Sequence, residues 1–298
     1  MSEQIAVIGG SGAYELLNEG CFAGERIGPV ETPFGESQAV YRASAEGTQF
    51  LFLSRHGEKG YSISAPFVNY RANIWALKSL GTSRIIAWSG PGAIDPNLHI
   101  GQFVLPDDLI DETKKRDYTF FEGLGIGFVR QSPVFCPDLR RRAAESMAGL
   151  GIECRDGGTY VCTEGPRLET PAEIRKFKIL GGDLVGMTLV PEVFLAKELE
   201  MCYVPICCVT NYAEGVRASD FEPGVLFEGL LSDEEKRVVD AAVGRFPEII
   251  GILVNSLRHR ERNCVCEKLM ARYRIRGDIG PDWRTWIERR PDVGRNCG

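Results

Sequence analysis

The sequence has no excess of basic residues, because 35 lysines and arginines stand against 41 aspartates and glutamates, for a net charge of -6. A nucleic-acid surface needs a basic stripe that releases counterions, so nucleic acid is not an expected partner. No segment has the roughly 20 apolar residues of a membrane-spanning helix, and the first residues lack a basic region followed by an apolar run. We therefore expect a cytoplasmic protein that does not enter a membrane.

Two further absences limit the chemistry. The turn GGSG (9–12) lacks the third glycine of a dinucleotide-binding loop, and no acidic residue ends a strand about twenty residues later, so a dinucleotide site is not expected. Of the 10 cysteines, five stand singly, and several of these lie in apolar, strand-like surroundings, where thiols pack as small hydrophobes; they are Cys21, Cys136, Cys154, Cys162 and Cys202. Cys264 and Cys266 form a close pair that suits a strained local disulfide or half of a metal site. Without a second Cys/His pair at zinc spacing, no metal site is predicted.

The chain also lacks a Pro/Gly/Ser-rich linker before about residue 257, which favours one domain over residues 1–257. After that point the composition becomes rich in arginine, with two tryptophans, and residues 258–298 are predicted to form an appended tail of unknown role.

Apolar, β-branched runs alternate with helical patterns along this domain. Strands separated by helices predict an α/β fold with a mainly parallel sheet that is covered on both faces. Pro137 marks one helix start. At another, Thr170 is a predicted N-cap, Pro171 a first-turn proline and Glu173 a capping-box acid. The runs predicted as strands are 5–10, 50–54, 84–90, 102–110, 157–165, 183–190 and 201–211; the helical patterns are 68–81, 136–151, 170–182 and 190–200.

Polar side chains stand where several of these strands end. Ser11, His56, Ser89 and Thr188 carry groups that bind a small anion, and Arg55 adds a cation with a planar fork of donors. Ligands bind at the carboxyl ends of parallel strands, so these residues are expected to converge on one site. Each of them alone is equally typical of an ordinary turn.

Seven motifs, in their order and spacing, make the sequence resemble the trimeric purine nucleoside phosphorylase and methylthioadenosine phosphorylase family. They are GGSG (9–12), RHG (55–57), NYRANIWAL (69–77), TEGPRLET (163–170), GMTLVPEV (186–193), LAKE (195–198) and VTNY (209–212). The resemblance covers roughly residues 3–255.

This resemblance implies a single α/β domain around a central mixed, mainly parallel sheet flanked by helices. It also implies a homotrimer, or a dimer of trimers, with sites near the subunit boundaries. The implied reaction is reversible phosphorolysis, in which inorganic phosphate attacks the anomeric carbon of a purine nucleoside. Phosphate is then a co-substrate, and no metal or organic cofactor is required.

Site residues carry over position by position. The phosphate site is matched by Ser11, Arg55, His56, Ser89, Gly90 and Thr188, and the purine and ribose site by Phe128, Leu168, Glu169, Met187, Asn211 and Ala213. His56 and Asn211 are the predicted catalytic residues, and Phe128 falls where a neighbouring subunit covers the site. Trp88 and Pro91 depart from the family's usual small residues near the phosphate turn.

The base-reading positions favour 6-oxopurines. Adenine-handling relatives place an aspartate at position 211, commonly a second acid at 213 and a small hydroxyl residue at 169, whereas this chain has Asn211, Ala213 and Glu169. Inosine- or guanosine-type substrates are therefore predicted, with methylthioadenosine phosphorylase as the alternative within the family.

The 5′ substituent of the sugar stays open. No histidine follows shortly after Asn211, and an apolar pocket from residues 221–231 and Phe128 would suit a 5′-methylthio group, as in 5′-methylthioinosine. From another class, a non-catalytic nucleotide-binding module is the alternative, although the full set of phosphate-site residues speaks against it.

Overall fold

Fifteen β-strands and seven α-helices lie in the residues that this computed structural model describes, which are 4–10, 20, 22–45, 47–217, 223–226, 231–258 and 260–288. The strands are β1 (Gln4–Gly9), β2 (Ala23–Gly28), β3 (Glu31–Thr32), β4 (Gly35–Glu36), β5 (Val40–Ala45), β6 (Thr48–Ser54), β7 (Thr82–Ser89), β8 (Gly92–Ala93), β9 (Phe103–Leu105), β10 (Asp108–Glu112), β11 (Cys154–Asp156), β12 (Thr159–Thr163), β13 (Leu184–Gly186), β14 (Cys202–Cys208) and β15 (Asn211–Tyr212). The helices are α1 (Tyr70–Ser79), α2 (Pro137–Gly149), α3 (Pro171–Ile179), α4 (Leu189–Glu198), α5 (Asp233–Gly244), α6 (Phe246–Leu257) and α7 (Ala271–Ile275).

The main sheet has eight strands in the order β11-β9-β14-β7-β1-β6-β5-β2. Its central strands β14, β7, β1 and β6 are parallel, whereas β9 and β5 pair antiparallel with their neighbours β14 and β6. The predicted fold class, an α/β domain with a mixed, mainly parallel sheet flanked by helices, is confirmed.

Both faces of this sheet are covered because its central strands are apolar on both sides. Ile8 and Ile85 belong to the core that includes α1 and α4, while their neighbours Val7 and Ile86 belong to the core that includes α2 and α6. Since side chains alternate along a strand, one apolar run supplies both cores. Such runs are typical of buried parallel strands.

A second sheet of five strands has the order β10-β12-β13-β8-β15. The run 102–110, predicted as one strand, is divided between the two sheets, with β9 in the first and β10 in the second. Pro106 and Asp107 lie at the break; proline has no N–H to donate, and the Asp107 carboxylate accepts from the Gly158 N–H at 2.8 Å. The chain therefore leaves the main sheet at this point.

The predicted helix starts are confirmed. Pro171 is the first residue of α3, and Thr170 and Glu173 form a reciprocal capping box. Pro137 is the first residue of α2. In the described parts of the chain, no helix combines the length and the apolar character needed to cross a membrane.

The described part of the predicted tail, residues 260–288, packs on the domain. Met270, Tyr273 and Trp286 are buried in the core that contains α1 and α4. Arg274 forms two hydrogen bonds with the Glu200 carboxylate, at 2.8 and 2.7 Å. A domain boundary at residues 257 and 258 stays a prediction, but the two sides of it share one core.

Candidate active site

A cleft of about 620 Å³ opens where the parallel strands end. Ser89 ends β7, Met187 and Thr188 follow β13, and Asn211 begins β15. The cleft brings together most of the predicted site residues, namely His56, Ser89, Gly90, Leu168, Glu169, Met187, Thr188, Asn211 and Ala213. Ser11 lies outside the described residues, so its predicted contact stays a prediction.

One end of the cleft is lined by hydroxyl groups. The Ser89 hydroxyl lies 3.2 Å from the Tyr160 hydroxyl, and Thr188 also interacts with the Tyr160 hydroxyl. Burial raises the pKa of Tyr160 well above its ordinary value, so this phenol stays protonated and is able to donate. Neutral donors that converge in a buried setting suit a small oxyanion.

Two glycines allow this end of the cleft to close tightly. A Cβ on Gly10 would lie 2.9 Å from the Trp88 carbonyl oxygen, and a Cβ on Gly186 would lie 1.9 Å from the Tyr160 hydroxyl. Real Cβ atoms do not approach other atoms so closely. Glycine is therefore required where β1 meets β7 and where β13 meets β12.

His56 reaches the cleft from the turn after β6. Its Nδ1 lies 2.8 Å from the Ile63 carbonyl oxygen, which only accepts, so Nδ1 carries the proton and Nε2 offers a lone pair. Burial, followed by the charge of Arg55, lowers the pKa of His56 to about 4, although the hydrogen bond to Ile63 opposes this. The imidazole is consequently neutral near pH 7, and its ring stacks on Tyr61 at 4.1 Å.

Arg55 is not among the residues that line the cleft. Its guanidinium is fully buried and pairs with Glu192 through Nε at 2.6 Å and Nη2 at 2.9 Å, while Nη1 donates to the Trp88 carbonyl at 2.9 Å. Tyr203 donates to the same Glu192 carboxylate at 2.8 Å. The structure thus places Arg55 behind the hydroxyl-lined end, where it fixes the carboxyl end of β7, and does not bring it to the predicted phosphate contact.

Glu169 is buried in the wall of the cleft, and its Oε1 accepts a short hydrogen bond from the Thr163 hydroxyl. Thr163 is the last residue of β12, so this bond fixes the carboxylate relative to the second sheet. A second carboxylate oxygen remains as an acceptor for a ligand, and a carboxylate accepts from N–H groups without being able to donate.

The carboxamide of Asn211 is oriented by its neighbours. Oδ1 lies 2.9 Å from the Thr210 hydroxyl, and Nδ2 donates to the Tyr212 carbonyl at 3.0 Å. Because a carbonyl only accepts, the amide cannot be flipped, and the second N–H of Nδ2 is the donor left for a ligand. Glu169 and Asn211 thus offer one acceptor and one donor in the same cleft.

Apolar side chains form the remaining walls. Leu168, Met187 and Ala213 line the cleft as predicted. Leu226 and Leu231 also line it. Both belong to the stretch 221–231, which was predicted to supply an apolar pocket. Residues 221–222 and 227–230 of that stretch lie outside the described residues. Phe128 does not line the cleft of its own chain and is 82% exposed. Its predicted contact is with a neighbouring subunit and stays a prediction.

Among the residues that no sequence motif predicted are Tyr160 and Arg217, which line the cleft, and Arg116, which supports it. Arg217 lies over the Tyr212 ring at 3.7 Å. Arg116 is buried and donates to the carbonyls of residues 163, 164, 187 and 190, which ties the ends of β12 and β13 together. None of the three has a local motif, and the partners of Tyr160 and Arg116 come from distant parts of the chain.

The fold is α/β, and its cleft has a hydroxyl-lined end as well as a carboxylate and a carboxamide, those of Glu169 and Asn211. The chain belongs to the phosphorylase superfamily, whose sequence model matches residues 4–249. The family predicted from the seven motifs is confirmed.

Several similar proteins have names of their own. The chain is 39% identical to a probable 6-oxopurine nucleoside phosphorylase of Dictyoglomus turgidum, over 92% of this chain and 99% of that protein. It is 40% identical to the 6-oxopurine nucleoside phosphorylase of Pyrococcus furiosus, over 89% and 96% of the two chains. A probable S-methyl-5′-thioinosine phosphorylase of Methanothermobacter thermautotrophicus is 42% identical, over 80% and 83%.

A solved structure also resembles the chain. A methylthioadenosine phosphorylase sourced from an antarctic soil metagenomic library superimposes with a TM-score of 0.79 at 28% identity, over 90% of this chain and 91% of that one.

Proposed function

We propose that this chain is a purine nucleoside phosphorylase, a pentosyltransferase that uses phosphate to split 6-oxopurine nucleosides such as inosine and guanosine. The products are the free base and a pentose 1-phosphate, and the reaction is reversible. The observation that carries the proposal is the pairing of Glu169 and Asn211 in the same cleft as the hydroxyl groups of Ser89, Thr188 and Tyr160. The names of similar proteins support it.

Phosphate occupies the hydroxyl-lined end in this proposal. The hydroxyls of Ser89, Thr188 and Ser11, with the Gly90 N–H, donate to its oxygens, and the Nε2 lone pair of His56 accepts from its remaining O–H. A neutral histidine suits this task because a doubly protonated imidazolium has no lone pair to accept with. Positioning one phosphate oxygen below the anomeric carbon converts a reaction between two molecules into one within a complex.

The purine occupies the other end. As the bond between the anomeric carbon and N9 breaks, its electron pair moves into the purine ring, which becomes anionic. The free Nδ2–H of Asn211 donates to O6 or N7, and the free oxygen of Glu169 accepts from N1–H. Charge on the ring strengthens the bond from Asn211 in the transition state, and interactions that strengthen there accelerate the reaction.

The same two residues discriminate against adenine. Adenine has no N1–H at neutral pH and carries an amino group in place of O6, so Glu169 would lack a donor and the Asn211 N–H would face another donor. An unpaired buried polar group costs about 1–3 kcal/mol. Preference for the oxopurine by about 10- to 100-fold follows from one such group.

A 5′-methylthio substrate is the second candidate, favoured by Leu226 and Leu231 in the cleft wall. Both are apolar, and the sequence has no histidine between Asn211 and Leu231 that could donate to a 5′-hydroxyl. S-methyl-5′-thioinosine would satisfy Glu169 and Asn211 as inosine does, whereas S-methyl-5′-thioadenosine would not.

The proposal extends to assembly and location. The exposed ring of Phe128 is available to cover the site of a neighbouring subunit, as in a homotrimer or a dimer of trimers. We place the enzyme in the cytoplasm, where purine nucleosides and free phosphate are present together. Neither metal nor organic cofactor is needed in the cleft, because phosphate itself is the nucleophile.

The test is phosphorolysis of inosine, adenosine and their 5′-methylthio analogues, compared by kcat/KM with phosphate saturating. We expect the two hypoxanthine compounds to exceed their adenine counterparts by about 10- to 100-fold. Turnover of the adenine compounds alone would make the chain a methylthioadenosine phosphorylase. Absence of phosphate-dependent turnover with all four would favour the non-catalytic module.

A further inference from the structure

Four cysteines that are far apart in the sequence meet at one place in the fold. The sulfur atoms of Cys136, Cys202, Cys264 and Cys266 all lie within 4.8 Å of one another. Cys136 immediately precedes α2, Cys202 begins β14, and the other two belong to the segment 260–288. None of the four lines the candidate active site.

The spacing of the sulfurs fits a shared ligand. Four thiolates around a tetrahedral Zn²⁺ at about 2.3 Å lie about 3.8 Å from one another. Cys202 and Cys264, which are 62 residues apart, have their sulfurs at 3.4 Å, close to this edge length and far from the roughly 2.05 Å of a disulfide. All four cysteines are free thiols in the structure.

The surroundings of the cluster favour negative charge and bury three of its four thiols, while Cys264 is partly buried. Cys136, Cys202 and Cys266 are buried, with exposed fractions of 3, 1 and 8%. Cys136 lies at the N-terminus of α2, a helix of 13 residues, where the helix dipole stabilises a thiolate. The ammonium group of Lys197 interacts electrostatically with Cys136 and Cys266. A bound metal with four thiolates has a net charge of about -2, which these groups partly offset.

We propose that Cys136, Cys202, Cys264 and Cys266 bind one Zn²⁺ ion as a closed structural site. The site has no open position, since four thiolates complete the tetrahedral shell, so its role is to hold the segment 260–288 on the domain. This revises the sequence-based expectation that Cys264 and Cys266 lack a second pair. The second pair is Cys136 and Cys202, which are brought to them only by folding.

Four thiolates in a tetrahedron select a borderline or soft metal such as zinc and not Mg²⁺ or Ca²⁺. The competing state is a pair of disulfides formed by the same four sulfurs. That state requires the removal of four electrons by an oxidant, whereas a reducing cytoplasm keeps thiols available. The experiment below separates the two states.

The first measurement is the metal content and thiol state of the full chain, purified without chelator and without air. We expect about one zinc per chain by elemental analysis, and four cysteines protected from alkylation until a strong chelator is added. Absence of zinc together with two disulfides, seen by mass spectrometry as a loss of four hydrogens, would overturn the proposal.

The second measurement needs no variant. Reduced, zinc-free protein is titrated with Co²⁺, which should give the sulfur-to-cobalt charge-transfer and intense visible bands of tetrahedral thiolate coordination, displaced by one equivalent of Zn²⁺. Titration without these bands would overturn the proposal even if zinc had been found in the first measurement, because that zinc would then lie elsewhere.

A matched pair of variants locates the ion. Cys202→Ser should lose most of the zinc and the cobalt bands, whereas Cys208→Ser, a change of a buried cysteine in the same strand outside the cluster, should keep both. Equal zinc content in the two variants would contradict the assignment. If Cys202→Ser does not fold, the cobalt titration of the unaltered chain decides.

Discussion

The two ends of the cleft are built differently. At the hydroxyl-lined end, the groups are held by one another and by buried structure behind them: Ser89 by Tyr160, and the end of β7 by Arg55. At the other end, Glu169 and Asn211 each use part of their hydrogen-bonding capacity on a neighbour and keep the rest for a ligand.

Under the proposed function, this difference suits the two ends to different tasks. An anion such as phosphate is the same in every turnover, so a rigid, buried set of donors serves it best. The base varies among nucleosides, and two side chains with one open hydrogen-bonding position each are enough to select it. Changes at the first end should therefore affect all substrates equally, and changes at the second end should alter the preference among them.

The largest expected effect concerns Arg55. Replacement of Arg55 by Ala leaves the Glu192 carboxylate buried without its partner, and we expect the free energy of unfolding to fall by about 3–5 kcal/mol. Urea denaturation measures this change. The control is Arg42→Ala, which breaks a pair with Glu25 whose side chains are 50 and 75% exposed and should cost less than about 1 kcal/mol.

A different outcome would relocate Arg55. The alternative outcome is that Arg55→Ala loses no more free energy of unfolding than Arg42→Ala, while its KM for phosphate rises strongly. Arg55 would then contact the anion directly and would not be a support behind the site.

Two adjacent residues show that the direction of a side chain is not predictable from the local sequence. The apolar runs and the residues that terminate them predict where the strands end, and His56, Ser89 and Thr188 lie at these ends. Arg55 and His56 stand side by side in one turn, yet one is directed into the core and the other into the cleft. Which of the two faces the ligand depends on Glu192, which is 137 residues away from Arg55.

Long-range partners also explain the other differences. The Tyr160 hydroxyl meets Ser89, which is 71 residues away, only in the folded chain. The four-cysteine cluster likewise exists only once the segment 260–288 returns to α2 and β14. Glu169 and Asn211 lie within short, specific family motifs, and both line the cleft, while their contact with a base stays a prediction. No local pattern marks a partner that arrives from another part of the chain.

The base end is tested by Asn211→Asp. A carboxylate cannot donate to O6 but accepts from the amino group of adenine, so we expect the inosine-to-adenosine ratio of kcat/KM to fall by about 10- to 100-fold. Steady-state phosphorolysis of both nucleosides gives the ratio. Asn255→Asp is the control, because Asn255 is an exposed residue of α6 outside the cleft whose Oδ1 pairs with Thr48. An unchanged ratio would remove Asn211 from base contact.

The smallest expected effect is at Tyr160. In Tyr160→Phe the Ser89 hydroxyl loses its hydrogen bond with the Tyr160 hydroxyl. Because one neutral hydrogen bond contributes about 1 kcal/mol, we expect kcat/KM for phosphate to fall by about 5-fold. The fall should be the same with inosine and with adenosine, because this hydroxyl belongs to the end of the cleft that does not meet the base. Tyr118→Phe, at a position that is 66% exposed, should change nothing. A loss in Tyr160→Phe that differs between the two nucleosides would mean that the two ends are coupled, and the division of tasks between them would fail.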